Sequence, residues 1–273
     1  MKFLVCVAGL PFSEQTAEFG VLVATLYNGS VTLLTVVTAV SDVPEAKEML
    51  ARLAQQMPVA VDDQIVRVGG TAVSEIVSEC QQGDYDMVIL GTRLVHGFSL
   101  FKLSGVARSI TQKVPIPTLV VKQAPPRLRR ILICTSGQER EPTVMQTGLQ
   151  LATLAQATVR LLYVADPMPH MYAGLETMEE TVQELLESGT PIAEQLRQEV
   201  NMLEKASVEG QLIKRHGLVV DEILKEIEES SYDLVIIGVT EHEAFWQALV
   251  LGRVSPYVVE NSSCSVLVVH HQP

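Results

Sequence analysis

Cysteine is scarce: four residues in 273, none in a C-x-x-C pair. That count excludes a disulfide scaffold or a zinc ribbon and points to a reducing, cytoplasmic setting. No apolar run approaches the ~18 residues that a membrane helix needs. Positive charge is short as well. Twenty Lys and Arg face 32 Asp and Glu, a net charge of −12, so nucleic acid and anionic membrane surfaces are not expected partners. Enzyme signatures are missing too. There is no Walker G-x-x-x-x-G-K-[ST], no H-x-G-H, and Ser136-Gly137-Gln138 is only a stub of an S-G-G-x-D-S loop. Catalysis is expected to be absent, or a weak ATPase at most. What is present is apolar: 47% hydrophobic against 19% charged residues, which excludes disorder and, at this length, predicts two domains. Lys2 followed by Phe3–Leu10 resembles a short secretory signal. The same pattern recurs mid-chain, so it reads as a buried strand.

The chain is written twice. FLVCVAG at 3–9 returns as ILICTSG at 131–137, and the run starting at Val31 returns at Val159, both offset by 128. The stretches starting at Gln64 and Gln211, and at Asp84 and Ser231, are offset by 147. The closing runs from Pro117 and Ser265 are offset by 148. A constant 147 across the third strand and its helix puts 19 extra residues between the second and third strands of the second copy. The expected boundaries are 1–124 and 131–273, joined by a Pro/Arg-rich linker at 125–130.

Continuous Val/Ile/Leu runs alternate with stretches of helical period. Ala72, Val73, Ile76 and Val77 share one helix face, repeated by Val219, Val220, Ile223 and Leu224. Each copy therefore reads as a doubly wound α/β domain with a parallel sheet. Its ligand crevice lies beyond the carboxyl ends of the strands, where Gly9, Gly91, Gly137 and Gly238 fall. The insert, about 166–206, predicts two helices separated by Gly189-Thr190-Pro191. Met178, Val182, Leu185 and Leu186 mark the first; Ile192, Leu196, Val200 and Leu203 mark the second. The pair is either a flap over the second crevice or a longer crossover helix packed on the sheet.

The first strand ending at a glycine, the Y-D-[LM]-V-I-[IL]-G fourth strand, a glycine-containing loop, a helix and a closing L-V-V strand, all in order and twice, resemble the universal stress proteins. The resemblance spans nearly the whole chain and implies a tandem member with a Rossmann-like fold. Nucleotide-binding members carry an aspartate after strand one and Gly-x2-Gly-x9-Gly-[Ser/Thr] after strand four. The glycines bring backbone N–H groups to the phosphates, and the aspartate holds ribose or metal.

This sequence departs from that pattern in both copies. Ala8 and Ser136 replace the aspartate, Leu94 and Glu241 the second glycine, Ser104-Gly105 and Gly252-Arg253 the final pair. The candidate pocket positions are Ala8, Gly9, Val36, Gly91, Thr92, Arg93, Ser104 and Gly105 in the first copy. In the second they are Ser136, Gly137, Val164, Gly238, Gly252, Arg253 and Val254. Residues 1–125 carry 9 basic and 11 acidic groups; residues 131–273 carry 8 and 21. An anion would prefer the first copy on that balance, whereas Arg253 at a helix start favours the second locally. The motifs read as degenerate, with an ATP- or AMP-binding switch of slow ATP hydrolysis retained in one copy as the alternative; a second alternative is the soluble regulatory tail of a cation/proton antiporter.

Other groups have two readings each. Asp166-Pro-Met-Pro-His170-Met171 is either a soft metal site or a proline-stiffened loop. Glu241-His242-Glu243 reads as a solvated loop, and His270-His271 as a chain end, so no metal is assigned. Cys6 and Cys134 take equivalent places as small apolar groups lining the crevices. Cys80 is placed on a polar helix face, Cys264 before the last strand, and no disulfide is expected. The closing strands 118–121 and 266–269 are edges that recruit a partner. The expectation is that they pair antiparallel within the chain as a pseudo-dimer, with a homodimer as a further option. The overall expectation is a non-enzymatic stress-response protein that binds a small molecule or a protein.

Overall fold

The structure is a computed structural model that describes residues 1–8, 13–91, 105–138, 142–165, 180–239 and 254–270. It divides into two compact units: Met1–Arg127 with Cys264–Val268, and Leu128–Ser263 with Val269–Pro273.

In the first unit, β1 (Lys2–Cys6), α1 (Ser13–Leu26), β2 (Ser30–Val37), α2 (Val43–Gln56), β3 (Val61–Val68), α3 (Ala72–Gln82), β4 (Met87–Gly91), α4 (Gly105–Lys113) and β5 (Thr118–Val121) alternate strand and helix. The strands run parallel in the order β3-β2-β1-β4-β5. Central strands are covered on both faces, so consecutive residues are buried: Phe3, Leu4 and Val5 are each inaccessible, as are Val88 and Ile89. The edge strand β3 (VDDQIVRV) buries no residue fully. The antiparallel pairing expected of the closing segments is present: Val266 lies opposite Val120, Leu267 opposite Leu119 and Val268 opposite Thr118. Ser265 Oγ fixes this register, accepting from the backbone N–H groups of Lys122 and Gln123 and donating to Gln123 O.

The second unit repeats the plan. Its elements are β6 (Arg130–Thr135), α5 (Pro142–Ala155), β7 (Thr158–Ala165), α6 (Val182–Glu187), α7 (Pro191–Lys205), β8 (Gly210–His216), α8 (Val219–Glu229), β9 (Leu234–Val239) and α9 (Val254–Asn261); of the last strand, β10 (Ser265–His270), the residues up to Val268 belong to the first unit. Strands β9-β6-β7-β8 are parallel neighbours in that order. Leu128, within the stretch read as a linker, belongs to the second unit and is buried.

The duplication reaches single side chains. Gly20 in α1 and Gly148 in α5 are 128 residues apart, and each lets its helix lie on the first strand. A Cβ on Gly20 would sit 2.8 Å from Val5 Cγ2, and one on Gly148 only 2.4 Å from Ile133 Cδ1.

The sheet register corrects the constant offset of 147. Val36 pairs with Arg67, and its counterpart Val164 pairs with Arg215. Strands β3 and β8 are therefore offset by 148. The difference is returned in the next turn, where Val68-Gly69-Gly70-Thr71 does the work of His216-Gly217-Leu218. Both glycines of the longer turn take positive φ, +78° and +68°, as does Gly217. Thr71 then caps α3, its side chain and that of Ser74 exchanging hydrogen bonds with the backbone. Leu218 stands at the cap of α8 with no side-chain hydrogen bond, and it is exposed.

Candidate functional site

The strand order reverses between β1 and β4, and between β6 and β9. Ligand crevices of doubly wound sheets open at that point, beyond the carboxyl ends.

In the first unit, Ala8 and Gly91 come to this mouth. The Ala8 N–H is already spent on Ser13 Oγ at 3.0 Å, closing the turn into α1. Gly91 is held for packing: a Cβ there would sit 2.2 Å from Thr16 Oγ1. A Cβ on Gly105, at the start of α4, would meet nothing within 4 Å among the described residues. Val36 is half-buried on β2. Gly9, Thr92, Arg93 and Ser104 lie outside the described residues, as does Leu94.

Below this mouth lies Cys6. Removal from water, and then the proximity of Cys80 and Glu79, push its thiol well above the ordinary value. Burial likewise pushes Cys80 up to about 12. Both are protonated, unreactive thiols at neutral pH. Cys80 is not on a polar face as the sequence suggested: it is buried, because the inward stripe of α3 runs Ile76, Glu79, Cys80. None of the four cysteines is joined in a disulfide.

The second mouth is built differently. Gly137 has φ +68°, so the turn after β6 requires glycine. Its N–H donates to Thr135 Oγ1 at 3.0 Å, and that hydroxyl donates to Glu199 Oε1 at 3.0 Å. Gln195 Nε2 donates to the same oxygen at 3.1 Å. Glu199 is inaccessible to solvent. These partners lie on α7, which is thereby tied to the turn. A Cβ on Gly137 would meet Ile192 Cγ2 at 2.9 Å. The first copy has Val7 where Thr135 stands, so it lacks this network.

Gly137, Gln138, Pro191, Ile192, Glu194 and Gln195, with Gln198, line a cavity of about 310 Å³. Among the described residues its polar side chains are amides and one carboxylate, with no cation. Ser136 is exposed beside it, Val164 and Gly238 are half-buried, and Val254 starts α9. Gly252 and Arg253 fall outside the described residues, as do Asp166–Met171, Glu241–Glu243 and His271. Among the described residues, no cluster of three His, Cys, Asp or Glu could hold a metal.

Of the two readings of the insert, the crossover helix describes α7. It buries Ala193, Leu196 and Leu203 and follows a proline at its first turn, capped by Thr190. Its N-terminal turn nevertheless reaches the crevice mouth. Arg197 holds the preceding turn through the carbonyls of Leu186 and Ser188. Lys214 on β8 pairs with Glu180 at 2.7 Å.

Sequence reasoning missed a buried polar cluster present in both copies. Glu79 on α3 accepts from Arg67 Nη2 at 2.5 Å and from Tyr85 OH at 2.9 Å. Glu226 on α8 accepts from Arg215 Nε and Nη2, and from Tyr232 OH at 2.5 Å. Burial raises the Glu226 pKa, but the Tyr232 and Arg215 hydrogen bonds outweigh it and hold the carboxyl below its ordinary value. The repeated spacing E-x5-Y was the available signal. It ties the third helix to the segment entering the fourth strand, away from the crevice.

Among the described residues, no helix is long and apolar enough to cross a membrane. The profile described as "Universal stress protein family" matches residues 1–122 and again 127–270. A universal stress protein of Methanocaldococcus jannaschii is 29% identical over 142 residues, 52% of this chain and 81% of that protein. One of Methanothermobacter thermautotrophicus is 28% identical over 138 residues, 50% of this chain and 92% of that protein. The crystal structure of a universal stress protein from Archaeoglobus fulgidus superposes with a TM-score of 0.73 at 17% identity, covering 99% of this chain and 96% of that one. A putative universal stress protein from Pseudomonas aeruginosa gives 0.72 at 15% identity, covering 98% and 92%. With two matches that together span almost its full length, the chain belongs to the universal stress protein family and carries the family's domain twice.

Proposed function

We propose that this tandem universal stress protein acts by binding rather than catalysis, and that neither copy grips ATP or AMP. The domains acting in this way are 1–124 and 131–273, the second carrying the helical insert. The observation that carries the reading is the contact of Ile192 with Gly137. A phosphate-binding turn needs open backbone, because its N–H groups must reach the oxygens. Here the N–H of Gly137 is bound to Thr135, a side chain from α7 covers the glycine, and the neighbouring residue is Ser136 rather than an aspartate. Glu194 at the same mouth would repel a polyphosphate. In the first copy Ala8 offers no carboxylate to a ribose, and its N–H is occupied.

The second crevice suits a small, uncharged or cationic polar molecule held by the Gln138, Gln195 and Gln198 amides and by Glu194. A protein partner reading the same face is the other output. Four cysteines outside any disulfide suit a reducing cytoplasm. Backbone NMR of the full chain titrated with ATP and AMP, with and without Mg²⁺, tests the proposal. No saturable shift at Ala8, Gly91, Ser136 or Gly137 is expected below millimolar ligand. Micromolar saturation at either mouth would overturn it.

A further inference from the structure

We propose that the second unit binds a small oxyanion, a carboxylate or phosphate group, at the amino ends of its strands. This is the end of the sheet opposite the crevice. A cavity of about 240 Å³ opens there, lined by residues that include Arg130, Thr158, Arg160, Glu209, Gln211 and Tyr232.

Two guanidinium groups face it with donors to spare. Arg130 stacks over the Tyr232 ring, its Cζ 5.3 Å from the centroid. Among the described residues its guanidinium makes no hydrogen bond or ion pair. Arg160 approaches Glu226 only at 3.7 Å, and its side chain is 40% exposed. Glu226 is meanwhile satisfied by Arg215 and Tyr232, and the nearby Asp233 carboxylate accepts the backbone N–H groups of Arg129 and Arg130. The Glu209 carboxylate at the rim therefore stands against two cations. Guanidinium forks match carboxylate and phosphate oxygens geometrically, and the Gln211 amide adds a donor, whereas the Thr158 hydroxyl donates to Arg129 O at 3.2 Å.

The first copy supplies the contrast. The sheet register places Thr32 beside Asp63 where the second copy has Arg160 beside Gln211. That exchange makes the site more positive by two charges, in the half of the chain that is otherwise strongly acidic. A fold requirement common to both copies does not produce it. The rim glutamate disfavours a polyanion and selects a compact ligand.

Backbone NMR of the full chain, titrated with inorganic phosphate and separately with malonate, tests the proposal. Sodium chloride holds the ionic strength constant. Saturable shifts at Thr158, Arg160, Gly210 and Gln211 with either probe support it and identify the group. The first-copy amides of Ser30, Thr32 and Asp63 should stay still. Arg160→Gln should weaken binding at least tenfold, and Arg130→Gln, which leaves the Arg160 contact with Glu226 in place, gives the same reading should Arg160→Gln fail to fold. No saturation with either probe, equal shifts in both copies, or unchanged affinity in the folded variants would overturn it. None of these outcomes bears on the crevice amides, so the proposal stands or falls apart from the nucleotide question.

Discussion

Removing one hydroxyl from each buried glutamate cluster should have unequal consequences. Tyr232 OH reaches Glu226 Oε1 at 2.5 Å, and both residues are buried, the glutamate 3% exposed. Arg215 holds the other oxygen, Oε2, and Arg160 is too far at 3.7 Å to replace the lost donor. Tyr232→Phe therefore removes a short hydrogen bond from a buried carboxylate, leaving it Arg215 and the Ser230 side chain, a loss of about 2–3 kcal/mol. Tyr85 makes the equivalent bond to Glu79 at 2.9 Å, but its ring is half-buried and water can take the place of the hydroxyl. Tyr85→Phe should cost about 1 kcal/mol.

Urea unfolding followed by circular dichroism measures both. The difference should also depend on pH. The Glu226 pKa is lowered in the folded state, so its contribution is complete above the unfolded value near 4.5 and is lost as pH falls through the folded value. The penalty of Tyr232→Phe should shrink over that acid window. Equal costs for the two variants, or a Tyr232→Phe penalty unchanged down to pH 3, would refute the reasoning.

Four further outcomes are expected. Leu218→Ser supplies the missing cap of α8 while giving up little burial, and should raise stability by about 1 kcal/mol; a scanning-calorimetry shift of about 2–4 °C checks it. Thr71→Ala should lower stability by a similar amount, by the same measurement. Gly148→Ala drives a methyl into Ile133 Cδ1 and should cost about 1–3 kcal/mol, and adding Ile133→Val, which removes that atom, should recover part of the loss in chemical denaturation. Cys6 and Cys80 should resist iodoacetamide at pH 8 in the native protein and react once it is unfolded, as peptide mass spectrometry would report.

The tandem plan was legible because buried parallel strands leave unmistakable apolar runs, and FLVCVAG and ILICTSG repeat them with their terminal glycine. The register of the third strand was not. QIVRV and QLIKR align by eye at either offset, since a one-residue slip in a half-buried edge strand changes few residue types. Only the pairing of Val36 with Arg67 and of Val164 with Arg215 decides it. The glutamate cluster escaped because a charge on a helix is read as solvated unless its partners are known. Those partners, Arg67 and Arg215, lie on the strand whose register was ambiguous. Cys80 was misplaced for a related reason: with Glu79 beside it, the stripe looked polar. The closing of the second crevice was half legible. Helical spacing gave α7 and its proline start, but nothing local foretells that Ile192 meets a glycine 55 positions earlier.

The central claim is that the chain's own side chains and hydrogen bonds occupy the turns where a nucleotide would sit. Protein purified without added nucleotide can be denatured and its small molecules measured by mass spectrometry against protein concentration. The account predicts ATP, ADP and AMP together far below one per chain. One adenine nucleotide per chain, retained through purification, would contradict it.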